Sequence, residues 1–273
     1  MEEPKVSVKQ MREGIFLLDE GGISTGYLVI GTKKACVIDT MNGFTNLPEL
    51  AKQYTDLPLM VVNTHGHPDH IYGNIYFDKA YVHPADKPMV EQFTKIPEFV
   101  AAIEQRGAKF PPMEDILEGE TIDLGGRTLK TYLLPGHTPG SLLLLCPEER
   151  ILFTGDAINH HLWMQVPGAL SITQMAQNLE KLMFLEKEAD LILHGHAHDF
   201  DDISLMSALL NGAREIIAGK TEKDTPYKWG TSMEEDSENN GFGGNDWYHP
   251  FSVDETKQFQ QPTHGICYRK DNI

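Results

Sequence analysis

The sequence predicts an α/β fold on three observations. Short apolar runs of β character recur between glycine-rich turns. Longer stretches with helical spacing alternate with them, and side chains able to bind a metal stand just past the ends of several runs. Periodicity alone goes no further than mixed α/β.

Taken in order, Ile15-Phe16-Leu17-Leu18, Tyr27-Leu28-Val29-Ile30 and Ala35-Cys36-Val37-Ile38 read as a β-meander. A helix is expected over 44–54, with Asp39 as one candidate for its cap. The run Leu59-Met60-Val61-Val62 reads as a buried strand, and β character returns near 129–134, 142–145, 151–153 and 191–193. A helix over 171–186 is signalled by Ser171 or Thr173 as cap and by the stripe Met175, Leu179, Leu182, Met183 and Leu185. A second is expected over 202–218. Residues 93–117 carry Pro97, Pro111, Pro112, Phe93, Phe99 and Phe110, which predicts an inserted helix and loop walling the mouth of a site. Residues 221–250 are polar and glycine-rich, with Glu234-Glu235-Asp236 and Gly241-Phe242-Gly243-Gly244. They read either as a solvated loop or, given Tyr227, Trp229, Phe242, Trp247 and Tyr248, as a lid or dimer contact. The length suits a single domain over 1–273.

His65-Gly66-His67-Pro68-Asp69-His70 follows the buried run at 59–62 and places four ligand-grade side chains within six residues. Three imidazoles and a carboxylate at a strand exit lack partners unless they are solvated or bind a metal. Imidazole and carboxylate suit zinc, iron or manganese, and the lack of cysteine there argues against a closed structural zinc site. Further along, strand-like runs deliver His137 in Pro135-Gly136-His137-Thr138-Pro139-Gly140-Ser141, Asp156 in Thr154-Gly155-Asp156, and the group His194-Gly195-His196-Ala197-His198. Strand ends gathered on one sheet edge can converge on a point.

In this order the residues resemble the metallo-β-lactamase-fold hydrolases, whose pattern is H-x-H-x-D-H, then His, Asp and His. The likeness spans roughly residues 13 to 200, and Asn63-Thr64, Gly73-Asn74 and 136–141 are most similar to the glyoxalase II branch. It implies an αββα sandwich with the metal site at one edge of the sheets. It also implies one ion on His65, His67 and His137, a second on Asp69, His70 and His196, and Asp156 bridging them. His196 is chosen over His194 and His198 by that alignment. Asp39 takes a second possible role there, supporting the histidine cluster from beneath. Asp156 counts against antibiotic hydrolysis, because β-lactamases of this fold lack a bridging Asp at that step.

Two divalent ions, zinc first and iron or manganese otherwise, equip such a site to activate a hydroxide and polarise a carbonyl. Asp69 is the expected catalytic residue, ligating and orienting the nucleophile. The implied activity is metal-dependent hydrolysis of a small ester, thioester or lactone. Alternatives on the same scaffold are a mononuclear iron persulfide dioxygenase and a phosphodiesterase. Ser141 reads as a structural hydroxyl and Tyr72 as a packing residue more than an oxyanion donor. His198 with Asp199 reads as support for a ligand, and His160, His161 and Trp163 as pocket-side or exposed loop residues.

Composition narrows the partners. There are 23 Lys and Arg against 40 Asp and Glu, a formal charge of -17, and no basic run of the kind a nucleic acid requires. A small-molecule substrate is therefore expected, without nucleic acid or membrane partners, and a homodimer stays open. The acidic opening Met1-Glu2-Glu3-Pro4 has no apolar segment behind it. Cys36, Cys146 and Cys267 sit in apolar surroundings and read as reduced core thiols. Both point to the cytoplasm.

Overall fold

Alternation along Leu142–Cys146 decides how the layers stack. Leu142, Leu144 and Cys146 join one apolar cluster while Leu143 and Leu145 join another, and all five are buried. A strand buried on both faces must have a layer on each side. The computed structural model describes residues 5–227 and 246–273, and among these the strands form three sheets.

The first sheet runs in order through β1 (Ser7–Arg12), β2 (Ile15–Asp19), β3 (Thr25–Ile30), β4 (Ala35–Ile38), β5 (Leu59–Val62), β6 (Ala80–Val82) and β7 (Met113–Asp115). It is antiparallel up to β4 and parallel beyond. The second holds β8 (Thr121–Asp123), β9 (Thr128–Leu133), β10 (Leu142–Cys146), β11 (Ile151–Gly155), β13 (Leu191–His194) and β14 (Asp201–Asp202), with β11 and β13 parallel. The third orders β12 (His161–Trp163), β17 (Gly265–Arg269), β16 (Asp246–Pro250) and β15 (Thr225–Pro226).

Tyr27, Val29 and Ile38 of the first sheet meet Leu142, Leu144 and Phe153 of the second in one cluster. The outer face of the first sheet, with Leu28, Val37 and Val61, is covered by Leu47 and Ala51 of α1 (Leu47–Ala51). The outer face of the second packs on α5 (Ile172–Leu182) and α7 (Leu205–Ile217). This is the αββα order that the resemblance implies. Short helices α2 (Pro68–Ile71), α3 (Lys87–Phe93), α4 (Pro97–Gln105) and α6 (Leu185–Glu188) complete the set.

Several boundaries differ from expectation. The helix expected over 44–54 is the shorter α1, and Asn46 caps it by accepting from Glu49 N–H at 3.2 Å, so Asp39 has no capping role. The stretch 171–186 begins on the capping box of Ser171 and Gln174 but closes at Leu182, where Met183 N–H turns back to Glu180 O. The 202–218 helix starts at Leu205 because Asp201–Asp202 is taken by pairing with β13. Residues 93–117 are not wholly an insertion, since Met113–Asp115 extends the first sheet beside β6. In 221–250, Thr225–Pro226 and Asp246–Pro250 are paired strands. The acidic and glycine-rich stretches with Trp229 and Phe242 lie outside the described residues. All three cysteines are buried free thiols.

Candidate metal centre

Parallel pairing of β4 with β5 and of β11 with β13 puts their C-terminal ends on one edge. His65 and His67 lie in the loop leaving β5, Asp69 and His70 on α2, and His137 beyond the end of β9. Asp156 follows β11 and His196 follows β13. Two glycines permit this crowding. A Cβ on Gly195 would lie 2.3 Å from Asp156 Oδ1 and 2.6 Å from His70 Cε1. Gly155 has φ +49° and would meet Thr64 Oγ1 at 2.2 Å.

The structure brings six of the seven side chains together in two adjacent groups, His65 with His67 and His137, and Asp69 with His70 and His196. Asp156 Oδ2 lies between them, 3.2 Å from His196 Nε2, 3.6 Å from His70 Nε2 and 3.8 Å from His137 Nε2. His65 Nε2 and His137 Nε2 approach His67 Nδ1 at 3.1 and 2.9 Å.

Partners on the far side of each ring set its tautomer. His137 Nδ1 donates to Trp163 O at 2.6 Å, His196 Nδ1 to Ile23 O at 2.9 Å and His70 Nδ1 to Asp39 Oδ2 at 2.9 Å. Thr64 Oγ1 donates to Asp39 Oδ2 at 2.7 Å, which leaves it to accept from His65 Nδ1 at 3.1 Å. When these rings are neutral, the four inward Nε2 atoms carry bare lone pairs, aimed at one another and at carboxylates. His67 Nδ1 has one proton at most to share between two such neighbours. Outward donor contacts of this kind orient metal-binding imidazoles.

Charge gives the same picture. Burial is the largest influence on His65 and His67 and holds both well below the usual imidazole value, so they present lone pairs. Burial acts the same way on His70 and His196, but Asp69 and Asp156 beside His70, and Asp156 beside His196, outweigh it and hold both above that value. Burial would raise the Asp156 carboxyl, yet the His196 and His70 imidazoliums hold it well below the carboxylate range. The centre thus collects positive charge to balance its carboxylates. His70 Nε2 and Asp156 Oδ1 are buried and accept or donate no hydrogen bond. A divalent cation in place of those protons would balance the carboxylates and engage those atoms, so the residues fit such an ion.

Supporting contacts come from residues with no motif around them. Asp39 Oδ1 also accepts from Thr64 N–H at 2.7 Å, so its role is support beneath the cluster. Asp86 accepts from Gly66 N–H, Thr138 Oγ1 and Gly140 N–H at 2.9, 2.7 and 2.6 Å, tying the His65–His67 loop to the His137 loop. Thr25 N–H and Tyr27 O–H of β3 donate to Gly195 O and His194 O, securing the His196 loop across the two sheets.

Other candidates fall elsewhere. Ser141 Oγ accepts from Thr138 N–H, a structural role. The Tyr72 ring stacks on Phe99 at 3.7 Å and its hydroxyl donates to Phe93 O. His198 is exposed and stands 3.9 Å from Asp19, while Asp199 pairs with Lys9, so that pair does not support a ligand. His194 and His160 are buried on Asp201, which also accepts from Gln260 Nε2 at 2.7 Å. His161 lies against Cys267. None of these three is an exposed loop residue.

A cavity of about 1020 Å³ opens over Asp69, Asp156, His137 and His196. Phe93 lines it but Phe99 and Phe110 do not; they pack behind Tyr72 with Ile75 and Ile103. The expected wall is thus real only at its first aromatic, because α4 turns its apolar face to the 3₁₀ helix at Tyr72–Tyr76 instead. Further wall comes from α3 ahead of Phe93 and from residues 166–168, which the sequence did not mark, and from Trp163, which it read as pocket-side or exposed.

Against known proteins, the profile described as Metallo-beta-lactamase superfamily matches residues 19–204. An acyl-coenzyme A thioesterase MBLAC2 of Gallus gallus is 27% identical over 224 residues, covering 70% of this chain and 80% of the relative. A hydroxyacylglutathione hydrolase of Hyphomonas neptunium is 33% identical over 135 residues, covering 49% of this chain and 47% of the relative. Among solved structures, the DIM-1 metallo-beta-lactamase superposes with a TM-score of 0.61 at 22% identity, covering 79% of this chain and 100% of that one. At that identity the last likeness speaks to fold alone.

Proposed function

This chain belongs to the metallo-beta-lactamase superfamily of metal-dependent hydrolases, and from that premise we propose that it hydrolyses a small thioester, ester or lactone at its carbonyl. The thioesterase and hydroxyacylglutathione hydrolase relatives support the thioester in first place. The observation that carries the reading is the convergence of inward imidazole nitrogens on Asp156, with His70 Nε2 and Asp156 Oδ1 left without partners.

In this proposal His65, His67 and His137 would hold one divalent ion and Asp69, His70 and His196 a second, with Asp156 as a further ligand to the pair. Zinc is the first choice, with iron or manganese as alternatives. When bound, the ions activate water at neutral pH and polarise the scissile carbonyl. Asp69, half-buried at the cavity floor, orients the nucleophile. His137, His196 and His70 are held by Trp163, Ile23 and Asp39, so these three rings are oriented before any ion binds. The formal charge of -17 supports a small substrate over a nucleic acid. Among the described residues, no helix is long and apolar enough to cross a membrane.

A panel of thioesters, acyl esters, lactones, bis-aryl phosphodiesters and β-lactams on metal-loaded enzyme tests the proposal. The expected order in kcat/KM puts thioesters and esters first. A clear preference for the phosphodiester would replace the acyl reading, and oxygen consumption with a persulfide by the iron form would replace hydrolysis altogether.

A further inference from the structure

Met89 and Phe93 lie four residues apart on α3, hence on one face of it, and that face forms a wall of the cavity over the metal centre. A second wall comes from the end of β12 and the loop after it, through Trp163, Val166 and Pro167. The walls approach each other closely, since a Cβ on Gly168 would lie 3.0 Å from Met89 Cε. Both begin at the metal centre itself. The Phe93 ring meets His67 edge-on at 5.9 Å, and the Trp163 ring meets His196 edge-on at 5.2 Å.

Charge is as informative as shape. No Lys or Arg lines the cavity among the described residues, and beyond the metal centre its polar side chains are Gln92, His198 and Gln261. The leaving thiols of acyl-coenzyme A and of acylglutathione carry phosphates or carboxylates, which proteins grip with Arg and Lys. Among the described residues nothing of that kind lines the cavity, whereas an apolar chain finds hydrocarbon and aromatic surface there.

We propose that the Met89–Phe93 face and the Trp163–Pro167 loop form the binding site for the hydrocarbon chain of an acyl substrate. The enzyme then selects by that chain and recognises its leaving group only weakly. This rests on the hydrolase reading above and deepens it: the substrate class is a neutral or weakly charged thioester or ester of an apolar acyl group.

The test has a binding arm and a turnover arm, both on the metal-loaded full chain. Calorimetry with hexanamide, octanamide and decanamide should show affinity rising about four-fold per added methylene until the cavity is filled, the factor expected for burying one CH₂. Acyl thioesters of N-acetylcysteamine should rise in kcat/KM over the same chain lengths. Their coenzyme A counterparts should be no better, and Met89→Trp should move the optimum to shorter chains. Flat affinity across the amides overturns the inference, as does a preference of roughly ten-fold or more, about 1.4 kcal/mol, for the coenzyme A ester. Chain-dependent binding without any turnover supports the acyl site while removing the hydrolase reading; turnover indifferent to chain length does the reverse.

Discussion

Asp39 has φ +59°, a left-handed conformation that costs a non-glycine residue on the order of 1 kcal/mol or more. In that geometry its carboxylate reaches Thr64 N, Thr64 Oγ1 and His70 Nδ1 at once. Asp39→Asn keeps a side chain that tolerates this backbone but weakens the contact that orients His70. A metal-chelator competition titration should show affinity lowered by about 10- to 100-fold, with circular dichroism unchanged. Protons compete at the same atoms. Because the carboxylates hold His70 and His196 above the ordinary imidazole value against the effect of burial, both keep their protons to higher pH than a free imidazole in the metal-free protein. Metal must displace those protons, so affinity should fall as pH falls, by up to about ten-fold per unit for each proton released. Calorimetry in buffers of differing ionisation enthalpy reads that release directly; an affinity independent of pH between about 6 and 8, roughly the imidazole range, would contradict it. Asp69→Ala should cost far more in kcat than His198→Ala, since only Asp69 faces the converging nitrogens.

Elements separate what the sequence shows from what it hides. The ligand positions are legible because each follows a strongly apolar run, so local pattern and site coincide at 59–70, 151–156 and 191–196. Asp86 has no such signature. Its value comes from three backbone and hydroxyl donors brought from two other loops, and only tertiary approach creates them. The carbonyls of Trp163 and Ile23 are invisible for the same reason, since any residue type could supply them. Short strands such as Ala80–Val82 and His161–Trp163 carry too few residues for a period to register. Asp86→Ala should lower stability by about 3 kcal/mol and loosen metal binding, because it frees the loops holding His65, His67 and His137. Ser171→Ala, at the cap of α5 on the opposite layer, should cost about 1 kcal/mol while metal content holds. Urea denaturation with metal analysis on the same samples separates the two; equal metal loss in both variants would mean that global stability alone governs the site.

At the scale of the whole molecule, two sheets and two helical layers place seven polar side chains at one edge while the apolar residues between the sheets stay sealed. The acidic surface and the apolar cavity act at different ranges. A formal charge of -17 repels polyanions over a Debye length of about 8–10 Å, whereas the cavity selects by contact. All of this turns on the centre holding metal. Metal analysis of chelator-stripped and zinc-reconstituted protein, alongside Asp156→Ala, is the most direct test. About two zinc ions per chain are expected for the wild type, as for two-metal sites in general, with at least one lost in the variant. Wild-type protein that stays folded yet binds no metal after reconstitution would contradict the account.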